Sequence, residues 1–339
     1  MNKKNLILKN KNILVTGADG FIGSHLVEKL VQIGCNVRAM AMYNSHNSWG
    51  WLDDIDSKTR CKIHVTSGDI RDYKYVRNSL DDIDIVFHLA SLIAIPYSYH
   101  SPNSYVQTNV QGTLNILEAS LNKKVEKIVH TSTSEVYGDT NKVPISEQTP
   151  IISKSPYSAT KIAADQLAYS YFSTYGLPVS IIRPFNTYGP RQSNRAIIPT
   201  ILTQILSNKN SINLGSIYPT RDFSYIDDTV EGFIKIAHHQ SSIGQIINIG
   251  SGYEISIKDL VSLIEEITST KIKIITDKNR VRPNTGEVIR LKADNRKAKE
   301  LIKWTPEYSG RRGLKKGLVN TMKWLEENID KYKTNIYNL

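Results

Sequence analysis

Short apolar runs and longer stretches of helical periodicity alternate through the first half of the chain. Residues 12–16 form one such run, residues 17–23 hold three glycines, and from 21 to 31 apolar positions recur at the spacing of one helix face. The predicted order is strand, tight turn, helix. Further runs at 36–42, 61–65, 84–89, 127–130 and 179–182 each neighbour a helix-like segment. Such alternation predicts a parallel sheet covered on both faces.

Beyond Pro184 the pattern loosens. Residues 186–194 are turn-rich, 196–206 read as helix, 222–226 as strand, 227–238 as helix and 245–249 as a buried strand, before 257–266 opens a last lobe. The strand at 245–249 is expected to return to the first domain, which makes the second lobe discontinuous. No repeat, low-complexity tract or flexible linker interrupts the chain.

At 339 residues the chain can bury a large core. Lys and Arg number 43 against 32 Asp and Glu, a net charge of +11, but the basic residues are scattered and no basic run is interleaved with aromatics. Nucleic-acid binding is therefore not expected, whereas a positive field suits a doubly charged diphosphate ligand. Cys35 and Cys61 have neither disulfide-framework nor metal spacing. Reduced thiols, and no signal-like or membrane-spanning run at 1–10, predict a cytoplasmic protein without membrane contact.

The turn Gly17-Ala18-Asp19-Gly20-Phe21-Ile22-Gly23 follows a predicted strand and opens a predicted helix. In that setting the first glycine permits a sharp turn, the second lets backbone approach a pyrophosphate, and the third lets helix pack on strand, with the positive helix end facing phosphate. NAD or NADP is the expected cofactor. The acidic residue that usually meets the adenosine ribose near the end of the second strand is missing, so the choice between them stays open, Arg38 arguing for a 2′-phosphate. Asp69 and Ile70 follow the third strand, where Asp69 either meets the adenine or caps a turn. Leu89, Ala90 and Ser91 close the fourth strand beside the expected nicotinamide; His88 reads as a packed histidine, and Asn109 as a mid-helix polar residue that either supports the site or bonds a neighbour. The expected architecture is α/β: a Rossmann-type doubly wound parallel sheet at 1–185 plus 227–249 that binds the dinucleotide, and a smaller, discontinuous α/β substrate lobe at 186–226 plus 250–339.

Tyr157 and Lys161 are four residues apart, so on a helix they share a face and the ammonium can stabilise a phenolate. An isolated tyrosine, with a pKa of about 10, is a poor base at neutral pH. Beside lysine and an oxidised nicotinamide, Tyr157 can take a hydroxyl proton while a hydride leaves the same carbon. Thr133, Ser134 and Glu135 end the fifth strand with polar groups that a buried strand end does not need for packing. Once a ketone exists at one sugar carbon the neighbouring C–H is acidic; Glu135 can remove it, Thr133 can hold the reacting hydroxyl, and Ser134 can assist the leaving group or bind Glu135.

With these motifs in place, residues 11–309 resemble an extended short-chain dehydrogenase/reductase of the nucleotide-sugar epimerase/dehydratase superfamily, through residues 17–23, 157–161, 183–191, 221–228 and Arg282-Pro283. Thr133-Ser134-Glu135 resembles the Thr-Ser-Glu of GDP-mannose 4,6-dehydratases, where dTDP-glucose 4,6-dehydratases carry Thr-Asp-Glu. Ser134 thus leaves the C6 general acid unassigned. Residues 43–45, 49–52 and 193–200 resemble the 4,6-dehydratases of legionaminate biosynthesis, which implies a UDP- or GDP-N-acetylglucosamine substrate. The resemblance further implies that Arg221 and Arg282 grip the diphosphate or ribose, that Asn186 lies near the diphosphate, and that Glu287 positions Arg282 or binds ribose. Arg191 and Arg195 either reach the ligand or form surface ion pairs. It implies a homodimer pairing through 101–121 and 157–175. Trp49 and Trp51 fall near the adenosine half of the cofactor, where they stack or join subunits, while Trp304 and Trp324 are expected to pack the substrate lobe.

Three rival readings remain. A UDP-glucuronate decarboxylase shares the sequence around Glu135, a 4-epimerase needs no such glutamate, and a non-enzymatic dinucleotide sensor needs neither Tyr157 nor Lys161.

Overall fold

A computed structural model describes residues 5–140, 142–207, 211–277, 280 and 288–333. The apolar runs become strands β1 (Asn12–Thr16), β2 (Asn36–Met42), β3 (Ile63–Gly68), β4 (Ile85–His88), β5 (Lys127–Thr131) and β6 (Val179–Pro184). Together with a strand from further along the chain, β10 (Ile246–Ile249), they form one sheet in the order β3-β2-β1-β4-β5-β6-β10, with every pairing parallel. Side chains alternate between its two faces. Ile13 and Val15 enter a core with Leu26, Leu30 and Phe233, whereas Leu14 enters the opposite core with Val76, Ile116 and Ala168. That two-sided burial is why these strands read as continuous apolar runs.

Strand β3 begins two residues later and ends three residues later than the run at 61–65. Thr66, Ser67 and Gly68 pair with Met40, Ala41 and Met42 of β2, so ladder hydrogen bonding extends the strand past its apolar part. Cys61 instead follows the short helix Ser57–Arg60, which Asp56 caps.

The remaining strands are short: β7 (Asn186–Tyr188), β8 (Ser211–Leu214), β9 (Thr220–Tyr225), β11 (Glu254–Ser256) and β12 (Lys273–Thr276). β11, β9 and β7 form one small sheet, and β8 pairs with β12. β7 lies in the segment expected to be turns, and three residues are too few to carry a periodic signal. Asp222 of β9 is fully buried and accepts from the amides of Ser251, Gly252 and Ala293 and from the Ser251 hydroxyl. Burial nonetheless pushes its carboxyl up to about 6.

The helix Gly310–Glu327 brings Trp324 edge-on to Trp51, 5.6 Å between centroids, and Tyr332 packs against both rings. The Tyr332 hydroxyl donates to the Gln192 carbonyl. Trp51 is thereby committed inside the chain. Trp304 is buried and donates to the Asp228 carbonyl. Among the described residues no helix is long and apolar enough to cross a membrane.

Candidate active site

Register aligns the carboxyl ends of the central strands: Thr16 pairs with Met40 and His88, and His88 with His130. The strand order reverses between β1 and β4, the place where an open α/β sheet leaves a crevice. Gly17 sits there with φ +67°, and a Cβ on it would stand 2.8 Å from the Ala90 nitrogen. A Cβ on Gly23 would meet the Gly17 carbonyl oxygen at 2.1 Å. Gly20 starts the helix Phe21–Ile33 without any side-chain cap, leaving the first amides of that helix for an anion. Such a cradle fits a dinucleotide pyrophosphate. Gly23→Ala is expected to cost on the order of 1–3 kcal/mol by overpacking and to weaken dinucleotide retention, both readable by thermal unfolding with and without NAD; unchanged melting temperatures would contradict the close packing.

Asp19 accepts the Met42 amide at 3.1 Å, and its carbonyl accepts the Trp51 amide. It fixes the end of β2 and the following loop, and burial raises its carboxyl above the usual range. Phe21 and Ile22 are half-buried, Phe21 meeting the His25 ring edge-on. Arg38 requires a correction: it sits early in β2, and its guanidinium donates to the carbonyls of Ser79 and Asp81 at 2.8 and 3.0 Å. There it closes the end of the helix Tyr73–Ser79, away from the strand end where a 2′-phosphate would lie. Asp69 binds the Arg71 guanidinium and amide, which lowers its carboxyl, while the helix cap is Asp72. Ile70 is buried, with its carbonyl accepting from the Asn115 amide.

Leu89 and Ala90 donate their amides to Thr16 Oγ1, and Ser91 donates to the Leu89 carbonyl. Thr16 in turn bonds His88 Nδ1 at 2.9 Å, and His88 Nε2 bonds Thr113, whose hydroxyl donates to the Asn109 carbonyl. Only a neutral His88 protonated on Nε2 satisfies all these partners, in keeping with burial holding its pKa well below normal. Asn109 lies in a π-helical turn, Val106–Gln111, and clamps Leu92 through both its amide and carbonyl while donating to Thr160. The loop after β4 is thus tied to β1 and to the helix that carries Tyr157. Sequence reasoning took His88 for a packed histidine and left Asn109 undecided; a polar residue in mid-helix was the signal for the second.

That helix, Pro156–Tyr175, starts with Ser155 and Ser158 capping each other and ends at Gly176 in the left-handed region. Tyr157, Lys161 and Asp165 fall on its buried face. Thr133 is within hydrogen-bonding reach of the Tyr157 phenol, and the charge of Glu135 bears on the same phenol. Thr133 also accepts the Glu135 amide at 3.2 Å, so the turn Ser134–Tyr137 aims its carboxylate residue from the end of β5. Ser134 is buried within that turn. Lys161 donates to the Thr131 carbonyl. Burial pushes Tyr157 well above the ordinary tyrosine range, with Thr133 working the other way, and pulls Lys161 down to about 8. One strand end and one helix face therefore bring Thr133, Glu135, Tyr157 and Lys161 into a single cluster.

Asn186 opens β7, its Oδ1 buried and without a hydrogen-bond partner among the described residues. Arg191 pairs with Glu28 at 2.5 Å and bonds Ser24, docking its loop on the glycine-turn helix. Arg195 is exposed, and its charge is felt by Tyr105, whose ring meets Tyr157 edge-on at 6.3 Å. Arg221 is buried and donates to the carbonyls of Thr220 and Val288. Arg282 and Glu287 lie outside the described residues.

Residues 14–317 match the family model for GDP-mannose 4,6 dehydratase. The chain belongs to that family. Its similarities cross three reactions. A UDP-N-acetyl-alpha-D-glucosaminuronate decarboxylase of Bacillus cytotoxicus is 33% identical over 94% of this chain and 98% of its own length. The structure of DesIV, a dTDP-glucose 4,6-dehydratase from Streptomyces venezuelae with NAD bound, superposes with a TM-score of 0.82 at 28% identity, covering 95% of this chain and 99% of DesIV. A UDP-glucuronic acid 4-epimerase from Bacillus cereus, in complex with UDP-glucuronic acid and NAD, gives 0.83 at 30% identity, covering 94% and 99%. Membership of the GDP-mannose 4,6-dehydratase family makes this chain an enzyme of the nucleotide-sugar dehydratase, epimerase and decarboxylase group.

Proposed function

We propose that this enzyme removes water across C5 and C6 of a UDP- or GDP-linked N-acetylglucosamine, with NAD as a resident cofactor that each turnover regenerates. The placement of Glu135 beside Thr133 and Tyr157 carries this reading, because oxidation alone needs no second proton acceptor. Bound NAD supplies the acceptor for the C4 hydride and the donor that delivers it to C6. Thr133 orients the C4 hydroxyl, Tyr157 takes its proton, and Lys161 stabilises the phenolate that must form. Glu135 takes the C5 proton made acidic by the new C4 carbonyl. Of the two protons collected, one leaves with the C6 hydroxyl as water and the other returns to C5. Asn186, Arg191, Arg195 and Arg221, joined by Arg282, are the groups we assign to the nucleotide diphosphate, with Glu287 positioning Arg282 or binding the ribose; a planar guanidinium fork suits two phosphate oxygens at once. We assign the nicotinamide side to Leu89, Ala90 and Ser91 and the adenine side to Asp69 and Ile70. Two copies pair through 101–121 and 157–175, whose residues Val106, Tyr169 and Tyr175 are exposed.

Incubation with UDP- or GDP-N-acetylglucosamine and no added reductant should give a 4-keto-6-deoxy product lighter by one water, seen by mass spectrometry. Unchanged substrate in both incubations would overturn the assignment. The second reading, favoured by the 33% identity to a decarboxylase, is oxidative loss of carbon dioxide from a nucleotide-linked uronic acid. Release of carbon dioxide from UDP-glucuronate, with no dehydration, would replace the first reading.

A further inference from the structure

No step above uses the carboxylate of Asp165, although it stands one helical turn beyond Lys161 on the same buried face. Side chains at this spacing have Cβ atoms roughly 5–6 Å apart. Asp165 Oδ2 accepts from Ser132 Oγ at 2.7 Å and from Arg183 Nε and Nη2 at 3.2 and 2.8 Å. Its Oδ1 faces His130 Nε2 at 3.4 Å. The Asp165, Arg183 and His130 side chains are 1%, 2% and 1% exposed, so water screens none of these charges.

The groups around Lys161 can be counted element by element. Its own helix supplies Tyr157 and Asp165, β4 supplies His88, and β5 supplies His130 and the Thr131 carbonyl, while Arg183 of β6 is bound to the far side of Asp165 and Glu135, in the turn after β5, acts on Tyr157. Burial lowers both histidines, which leaves them neutral, and the deeply buried phenol is neutral too. Behind Lys161 this leaves two cations, Lys161 and Arg183, and one anion, Asp165. Arginine does not give up its proton, so any excess positive charge must be shed by Lys161.

We propose that Asp165 is a positioning residue that holds the proton on Lys161, and that Arg183 sets how much of the Asp165 charge reaches it. The attraction of Asp165 opposes the burial that would otherwise strip Lys161 of its charge. The catalytic consequence rests on the reading of Tyr157 and Lys161 given above, whereas the charge balance does not.

The two partners predict opposite effects. Asp165→Asn leaves two uncompensated buried cations, and the Lys161 titration midpoint falls. Arg183→Gln gives Lys161 undivided use of Asp165, and the midpoint rises. Both can be read without substrate in the full-length protein labelled at lysine 13Cε, following the Lys161 signal by NMR across pH and assigning it by its loss in Lys161→Arg. The expected shift is down by about one pH unit or more in Asp165→Asn and upward in Arg183→Gln, with Asp165→Glu close to the unsubstituted protein. No shift in either variant, or movement of both in the same direction as general loosening would give, overturns the proposal. Should Asp165→Asn fail to fold, a fall or no change in Arg183→Gln overturns it alone. Opposite shifts in a protein that dehydrates no nucleotide sugar would leave this inference standing and remove the proposed function.

Discussion

Glu135→Gln is expected to lower formation of the dehydrated product by about 10² to 10⁴-fold, the usual worth of a positioned general base. Cofactor reduction by added substrate should survive. The substitution keeps the volume of the side chain and the backbone amide that Thr133 accepts, so the turn stays in place. What disappears is a carboxylate whose charge bears on Tyr157. Two measurements on one sample separate the steps: near-ultraviolet absorbance of reduced nicotinamide, and incorporation of deuterium at C5 from heavy water. Persistent reduction with lost exchange is the expected pair. Equal loss of both would place Glu135 at the oxidation, and loss of neither would return the chain to the epimerases.

Tyr157→Phe removes the earlier step and should abolish cofactor reduction by a similar factor of about 10² to 10⁴ while nucleotide-sugar binding persists. The structure explains why the phenol cannot act unaided: burial makes it a weaker acid than tyrosine in water, and a hydrogen bond from Thr133 offsets only part of that. A nearby cation is required, and Lys161 is placed to be that cation. Because burial lowers Lys161 to about 8, its ammonium is present below that pH and lost above it. The rate of cofactor reduction should therefore fall as pH rises through about 8. In Lys161→Arg, whose guanidinium does not titrate there, the fall should vanish even if the maximum rate is lower. A profile with the same alkaline limb in both proteins would assign that limb to another group.

Much of this site was legible from residue types and spacing. A glycine turn between strand and helix, a tyrosine and lysine one turn apart, and an acid at a strand end are local patterns, and each has a local physical reason. Arg38 was misread for the opposite kind of reason. Its position early in β2 matters only relative to Ser79 and Asp81, forty residues on, and linear spacing does not reveal a partner at that distance. Strand β7 escaped notice because three residues have no period, and the packing of Trp51 was not foreseen because its partners Trp324 and Tyr332 come from the far end of the chain. Asp165, too, reads on paper as an ordinary helix residue. Only the convergence of β5 and β6 beneath it supplies Ser132, His130 and Arg183.

The small sheet is threaded in pieces: β7 and β9 come before β10, which joins the large sheet, and β11 comes after it. A chimera that exchanged substrate preference with a relative through one junction would therefore inherit mismatched halves of this sheet. Asp222 on one half would face foreign partners at 251, 252 and 293 on the other. Recombination between members of this family should yield working hybrids only when at least two crossovers bracket β10, leaving that strand with its parent.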